Sequence, residues 1–176
     1  HVRKIFAIYK QALEIDYPQS REFRIVIYGS ETEYRRYQRQ VAPVLENSAG
    51  FYNSRNNQIT TWGMADSHLL KLITHEVSHA ISASHGRFVP TWLNEGLAEY
   101  FEQIEVAGLG ARIPVADYWL KVLRRRGWAE QPPDLSRVLD AQHRDWYAAN
   151  GPDSLSYAAS WSLVWYLMDS RQGRIL

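Results

Sequence analysis

His75-Glu76-Val77-Ser78-His79 sets two imidazoles four residues apart with a carboxylate between them. The apolar spacing around these residues predicts a helix, capped by Asp66 or Ser67, running to about Ser84, with Gly86 as its stop. On a helix, positions i and i+4 differ by about 40° around the axis and about 6 Å along it. Both imidazoles therefore leave one face and can share one metal ion. Glu76 lies about 100° from His75, close enough to reach a water on that metal without being a ligand. Zinc suits two neutral imidazoles plus a carboxylate and leaves one position open for water. The pKa of such a water falls toward ~7, and a neighbouring carboxylate can take its proton. The competing reading is a pair of helix histidines satisfied by ordinary hydrogen bonds.

A second constellation follows in Thr91-Trp92-Leu93-Asn94-Glu95-Gly96-Leu97-Ala98-Glu99-Tyr100. Thr91 is the expected cap of a helix over roughly Trp92–Glu105. If the two helices pair antiparallel, His79 lies about 7.5 Å before the end of the first and Glu95 about 6 Å into the second. The two side chains then stand nearly level, and Glu95 can supply a third ligand. Glu99, one turn on, stands level with His75 and can accept the second ring N–H of a metal-bound imidazole. Gly96 and Ala98 are small enough to let the two helices approach. An acidic pair on a solvated face is the plainer alternative. Against it, Trp92, Leu93, Leu97, Ala98 and Phe101 mark the helix as mostly buried. Buried carboxylates need partners, and like charges four residues apart repel.

These two motifs together resemble the gluzincin metallopeptidases, a group that includes thermolysin-like and aminopeptidase-like enzymes. The chain is most similar to the bacterial peptidase MA-like families, a similarity to which Gly50-Phe51-Tyr52 and Ile59 contribute. The resemblance covers roughly 23–102 well and 156–168 weakly. It implies an α+β, thermolysin-like (zincin) catalytic domain with a small N-terminal-side sheet and a mostly helical remainder. It also implies one zinc ion, hydrolysis of peptide bonds, and secretion or attachment to a bacterial cell envelope. In its terms His75, His79 and Glu95 are metal ligands and Glu76 is the general base. The interval of 15 residues between His79 and Glu95 is shorter than in the better-known gluzincins, which implies a tight turn between the helices.

Peptide hydrolysis also needs a donor to the developing oxyanion. Gluzincins often use a Tyr or His from a later segment, and Tyr157 resembles the position used in the peptidase MA-like group. Tyr157, Trp161 and Val164 equally form a helical core stripe, so both roles stand for Tyr157. His143, in a polar stretch, is a second candidate. His68 lies two turns before His75 and reads as structural, with lining of the cleft as the alternative. His85 reads as a helix-end residue favoured by the C-terminal dipole. Arg124-Arg125-Arg126 reads as a solvated helix end, with a clamp for a substrate carboxylate as the alternative.

The elements that must position these residues can be read from periodicity. Val2–Ile15 has helical spacing, ended before Pro18. Phe23–Tyr28 alternates and is β-branched, so it predicts a strand. Ser30 with Glu33 three residues on is a capping box, opening a helix that stops before Pro43. Segments 50–52 and 58–62 flank Asn53-Ser54-Arg55-Asn56-Asn57 as a hairpin. Glycines 108 and 110 are expected to end the Glu95 helix. A helix over Val115–Arg126 follows, then a break at Pro132-Pro133, a short turn at Leu135–Leu139 and a last helix over Ser154–Ser170. One α+β domain over residues 1–176 is expected. Gly173–Leu176 has the look of a new strand, so the native protein is expected to continue beyond it. A start at His1, without Met or a signal-like segment, suggests a processed or trimmed chain.

The 176 residues are 45% apolar and 22% charged, a globular composition. With no cysteine, disulfide frameworks, cysteine zinc fingers, iron–sulfur clusters and thiol nucleophiles are excluded. A net charge of +1 offers no field for nucleic acid or an anionic membrane surface. The apolar stretches near 161–168 and 23–28 fall short of the roughly 20 residues that span a bilayer. The expected partner is a peptide or protein substrate. The alternative function is a non-catalytic peptide- or protein-binding domain on the same scaffold. Such a module would need the ligands but not Glu76.

Overall fold

A computed structural model of the chain describes residues 2–15, 17, 22–46, 48–85, 88–107, 110–128, 134–141, 146 and 155–169. Two compact units make it up, His1–Phe88 and Val89–Leu176. The structure is mixed α+β with small sheets. Among the described residues no helix is long and apolar enough to cross a membrane.

The first unit runs α1 (Val2–Leu13), β1 (Arg24–Tyr28), α2 (Glu31–Val41), a short 3-10 turn at Pro43–Leu45, β2 (Gly50–Asn53), β3 (Gln58–Trp62) and α3 (Asp66–Ser84). Ser30 opens α2 as expected: its Oγ accepts from the Glu33 backbone N–H at 3.3 Å and donates to Glu33 Oε2 at 3.2 Å. The hairpin forms with Gly50 opposite Thr61 and Asn53 opposite Gln58. β1 adds to β3 in parallel, Arg24 opposite Gln58, giving the order β1-β3-β2. Asn57 closes the turn with φ 51°, a conformation asparagine tolerates better than most residues. Its side chain ties the hairpin to the start of β1, accepting from Tyr52 Oη at 2.8 Å and donating to the Glu22 carbonyl. α3 packs on β2, β3 and α1. Gly50 makes this close, since a Cβ there would sit 2.8 Å from Leu72 Cδ2. Ala65, rather than Asp66 or Ser67, occupies the N-cap of α3, and Asp66 is its first residue.

The second unit runs α4 (Thr91–Glu102), β4 (Glu105–Ala107), β5 (Gly110–Arg112), α5 (Asp117–Arg125), α6 (Ser136–Leu139) and α7 (Leu155–Asp169). Pro90 takes the N-cap of α4, so Thr91 begins the helix rather than capping it. α4 ends at Glu102, short of the expected Glu105, because the chain turns into an antiparallel hairpin that joins Glu105 to Arg112. An exposed ion pair of 2.6 Å between these two side chains closes that hairpin. α4 packs along α7, and Gly96 permits the contact: a Cβ there would meet the Ser160 carbonyl oxygen at 2.6 Å. Val138, Trp146 and Ala159 form a buried cluster against which Trp92, Trp128 and Tyr157 pack. The expected features at Pro18, Gly86, Gly108, Pro132-Pro133, Ser154 and 173–176 lie outside the described residues.

Candidate metal centre

The histidine half of the site belongs to α3. Ile73, Val77, Ala80 and Ile81 fill the core of the first unit, and burying them fixes which side of the helix faces outward. His75 and His79 fall at the margin of that buried face and are half-buried. Their ring centroids lie 4.9 Å apart, with the planes at 81°. One helix turn thus presents two imidazoles together. Glu76, between them in sequence, is only 5% exposed.

The rest of the buried face of α3 absorbs its own polar groups. Thr74 Oγ1 donates to the Leu70 carbonyl at 2.7 Å and Ser78 Oγ to the Thr74 carbonyl at 3.0 Å. The Tyr9 hydroxyl is held well above its ordinary pKa by burial, with Ser78 pulling the other way. Tyr34 on α2 is pushed up to about 12, chiefly by burial; a hydrogen bond at Ser48 lowers it and the Glu76 charge raises it further. Tyr34 also lies under the Arg35 guanidinium, which stands 5.3 Å from its ring and 5.1 Å from that of Trp62. Gln38, wholly buried, completes this layer by donating to Tyr34 Oη at 3.0 Å.

The carboxylate half belongs to α4. Glu95 is 1% exposed, and Glu99, one turn later, is also buried. A solvated acidic face is therefore not what this helix carries. Glu99 Oε2 accepts a buried hydrogen bond of 2.8 Å from Trp119 Nε1 on α5. The Trp119 ring lies near-parallel to that of Tyr157, at 9° with centroids 6.3 Å apart. Trp146 meets Tyr157 edge-on at 5.5 Å. Tyr157, in the first turn of α7, is half-buried, while Trp161 and Val164 further along are buried. Trp119 was not among the expected site residues. It sits twenty positions beyond Glu99, and in sequence an aromatic beside Leu120 and Leu123 reads only as core.

Two half-buried imidazoles and a buried carboxylate are donors that could bind a metal ion. Their chemistry fits zinc, which accepts nitrogen and oxygen ligands without thiolate. Among the described residues, His68 and His85 are not part of this group. His68 is exposed in the first turn of α3. His85 Nδ1 lies 2.9 Å from the Ile81 carbonyl, a helix-end contact as expected. Arg124, Arg125 and Arg126 are exposed at the end of α5, and His143 lies outside the described residues.

A family model described as protein of unknown function (DUF1570) matches residues 70–176, more than half of the chain. No curated protein matches it.

Proposed function

The chain belongs to the DUF1570 family, and from its residues we propose that it is a zinc metallopeptidase of gluzincin type on a thermolysin-like (zincin) scaffold, acting on peptides or proteins outside the bacterial cytoplasm. The observation that carries the reading is the pair of imidazoles on one turn of α3, 4.9 Å apart, with Glu76 between them in sequence and withdrawn from solvent. The burial of Glu95 is in keeping with it, because metal coordination is one of the ways a carboxylate withdrawn from water is held.

His75, His79 and Glu95 would hold the zinc. Zinc, when bound, polarises the scissile carbonyl and makes water a nucleophile near neutral pH. Glu76 removes a proton from the attacking water at its carboxylate and delivers it to the departing amine. Glu99 accepts the second ring N–H of a ligating histidine, which fixes the tautomer that binds metal. Tyr157 donates its phenolic O–H to the oxyanion, a role its half-buried position at the start of α7 leaves open to it.

Metal analysis of protein purified without chelators, then a fluorogenic peptide screen with wild type and Glu76→Gln, tests the reading. One zinc per chain is expected in both proteins. Hydrolysis should fall by about 10²–10⁴-fold in the variant, the range for losing a general base. Folded wild type without metal, or a variant that cleaves at the wild-type rate, overturns the proposal. Zinc retention without cleavage of any peptide points instead to a binding domain.

A further inference from the structure

The second unit is rich in buried indoles, and their N–H groups meet different fates. Among the described residues, Nε1 of Trp128, Trp161 and Trp165 is buried with no hydrogen-bond partner. Trp119 differs. It is 5% exposed, and its N–H is aimed at Glu99 Oε2 at 2.8 Å inside the core. A buried indole N–H ordinarily takes an acceptor, and here the acceptor is a carboxylate, whose orientation the bond fixes.

The choice of donor matters. An Arg or Lys at this place would orient Glu99 but would also neutralise it and compete for both oxygens. The indole N–H is a single neutral donor. It occupies one site on one oxygen and leaves the negative charge, and the remaining lone pairs, available to another donor. The face of the same ring lies along Tyr157. One side chain therefore touches both the carboxylate expected to hold a ligating histidine and the phenol expected to meet the oxyanion.

We propose that Trp119 is a positioning residue of the metal centre, its indole N–H fixing the Glu99 carboxylate so that Glu99 can accept from a metal-binding imidazole. The inference rests on the metallopeptidase reading above. Trp119 acts through Glu99 and touches neither metal nor substrate.

The test is zinc affinity, measured by competition with a chromophoric chelator and so independent of turnover. Trp119→Phe keeps an aromatic ring beside Tyr157 and removes the donor together with part of the buried ring volume. It should weaken zinc binding by about 10-fold, the lower end of the range for an outer partner of a metal ligand. Glu99→Ala should weaken it by about 10–100-fold. Because Trp119 works through Glu99, the double variant should bind no more weakly than Glu99→Ala alone, a coupling that a merely structural loss does not produce. If Trp119→Phe does not fold, benzothienylalanine at position 119 replaces N–H by sulfur at nearly constant shape and provides the same measurement. Wild-type affinity in the donor-free protein, or additive losses in the double variant, overturns the inference while leaving the peptidase reading intact. A wild type that holds no zinc overturns both.

Discussion

α3 and α4 each carry ionisable side chains into the interior, but they hold them by different means. On α3 the polar groups are settled within one helix: Thr74 and Ser78 return their hydroxyls to carbonyls one turn back, and the two imidazoles face together because they are four residues apart. On α4 the arrangement is assembled from several elements. Glu99 is held by an indole from α5, that indole lies along a phenol from α7, and α4 itself reaches α7 only because residue 96 has no side chain. The histidine pair is thus a property of local geometry, and the carboxylates are a property of tertiary packing. Substitutions should respect that division. On α3 only the ligands themselves should matter strongly to metal. In the second unit, residues that bind nothing should matter too.

The largest effects should come from the ligands. His75→Ala or His79→Ala should abolish zinc retention through dialysis, and Glu95→Ala should weaken it severely, while circular dichroism of all three stays that of a folded protein. Three protein ligands plus an open position make the minimum set for a catalytic zinc, so losing one imidazole leaves only two. Unchanged zinc content in Glu95→Ala would show that the third ligand lies elsewhere, with Glu99 next to be tested. It would also erase the contrast drawn above, since α4 would then contribute no metal donor at position 95.

Tyr157→Phe comes next. The ring beside Trp119 and Trp146 is kept and only the hydroxyl is lost. Zinc content should be unchanged, and kcat should fall by about 10²–10³, the scale for one missing oxyanion donor. An unaltered kcat would assign Tyr157 to the aromatic cluster around Trp146 and Val138 and leave the donor to be found among other residues, His143 first.

How much of this could be read from the chain follows the same division. The helix carrying His75 and His79, its end at Ser84, the hairpin before it and the cap at Ser30 all come from spacings of two to four residues, and the structure has them. What periodicity could not supply were pairings between distant segments. β1 lies parallel to β3 across thirty-odd residues, a choice that no local pattern encodes. Glycine 110 looked like a helix stop but instead begins the second strand of the Glu105–Arg112 hairpin. Gly96 was legible as a site of close approach, but its neighbour was expected to be the histidine helix; the backbone against it belongs to α7. Glu99 was expected to need a partner because it is buried. That Trp119 is one partner depends on where α5 packs, which the local sequence Asp117–Arg125 does not specify.

The smallest effect makes the sharpest comparison, because one methyl group can be placed in either unit. In Gly50→Ala the new Cβ meets the tip of Leu72, a flexible end that can swing away, and the Thr60 carbonyl at 3.1 Å. In Gly96→Ala it meets the Ser160 carbonyl oxygen at 2.6 Å and its carbon at 2.9 Å, backbone atoms of α7 that move only if the helix moves. Replacing a helical glycine by alanine ordinarily gains about 1 kcal/mol from propensity. Overpacking costs about 1–3 kcal/mol, and contact with an immobile backbone lies toward its upper end. Gly96→Ala should therefore be net destabilising in urea denaturation, and more so than Gly50→Ala. Zinc affinity separates the two further. A shift of α4 against α7 displaces Glu95, the residue next to the new methyl, so Gly96→Ala should also loosen zinc, whereas Gly50→Ala changes only what underlies α3 and should leave affinity near wild type. Equal stability losses with equal zinc affinities in the two variants would mean that α4 tolerates movement as well as α3 does, and that tertiary packing does not set the carboxylate half of the site.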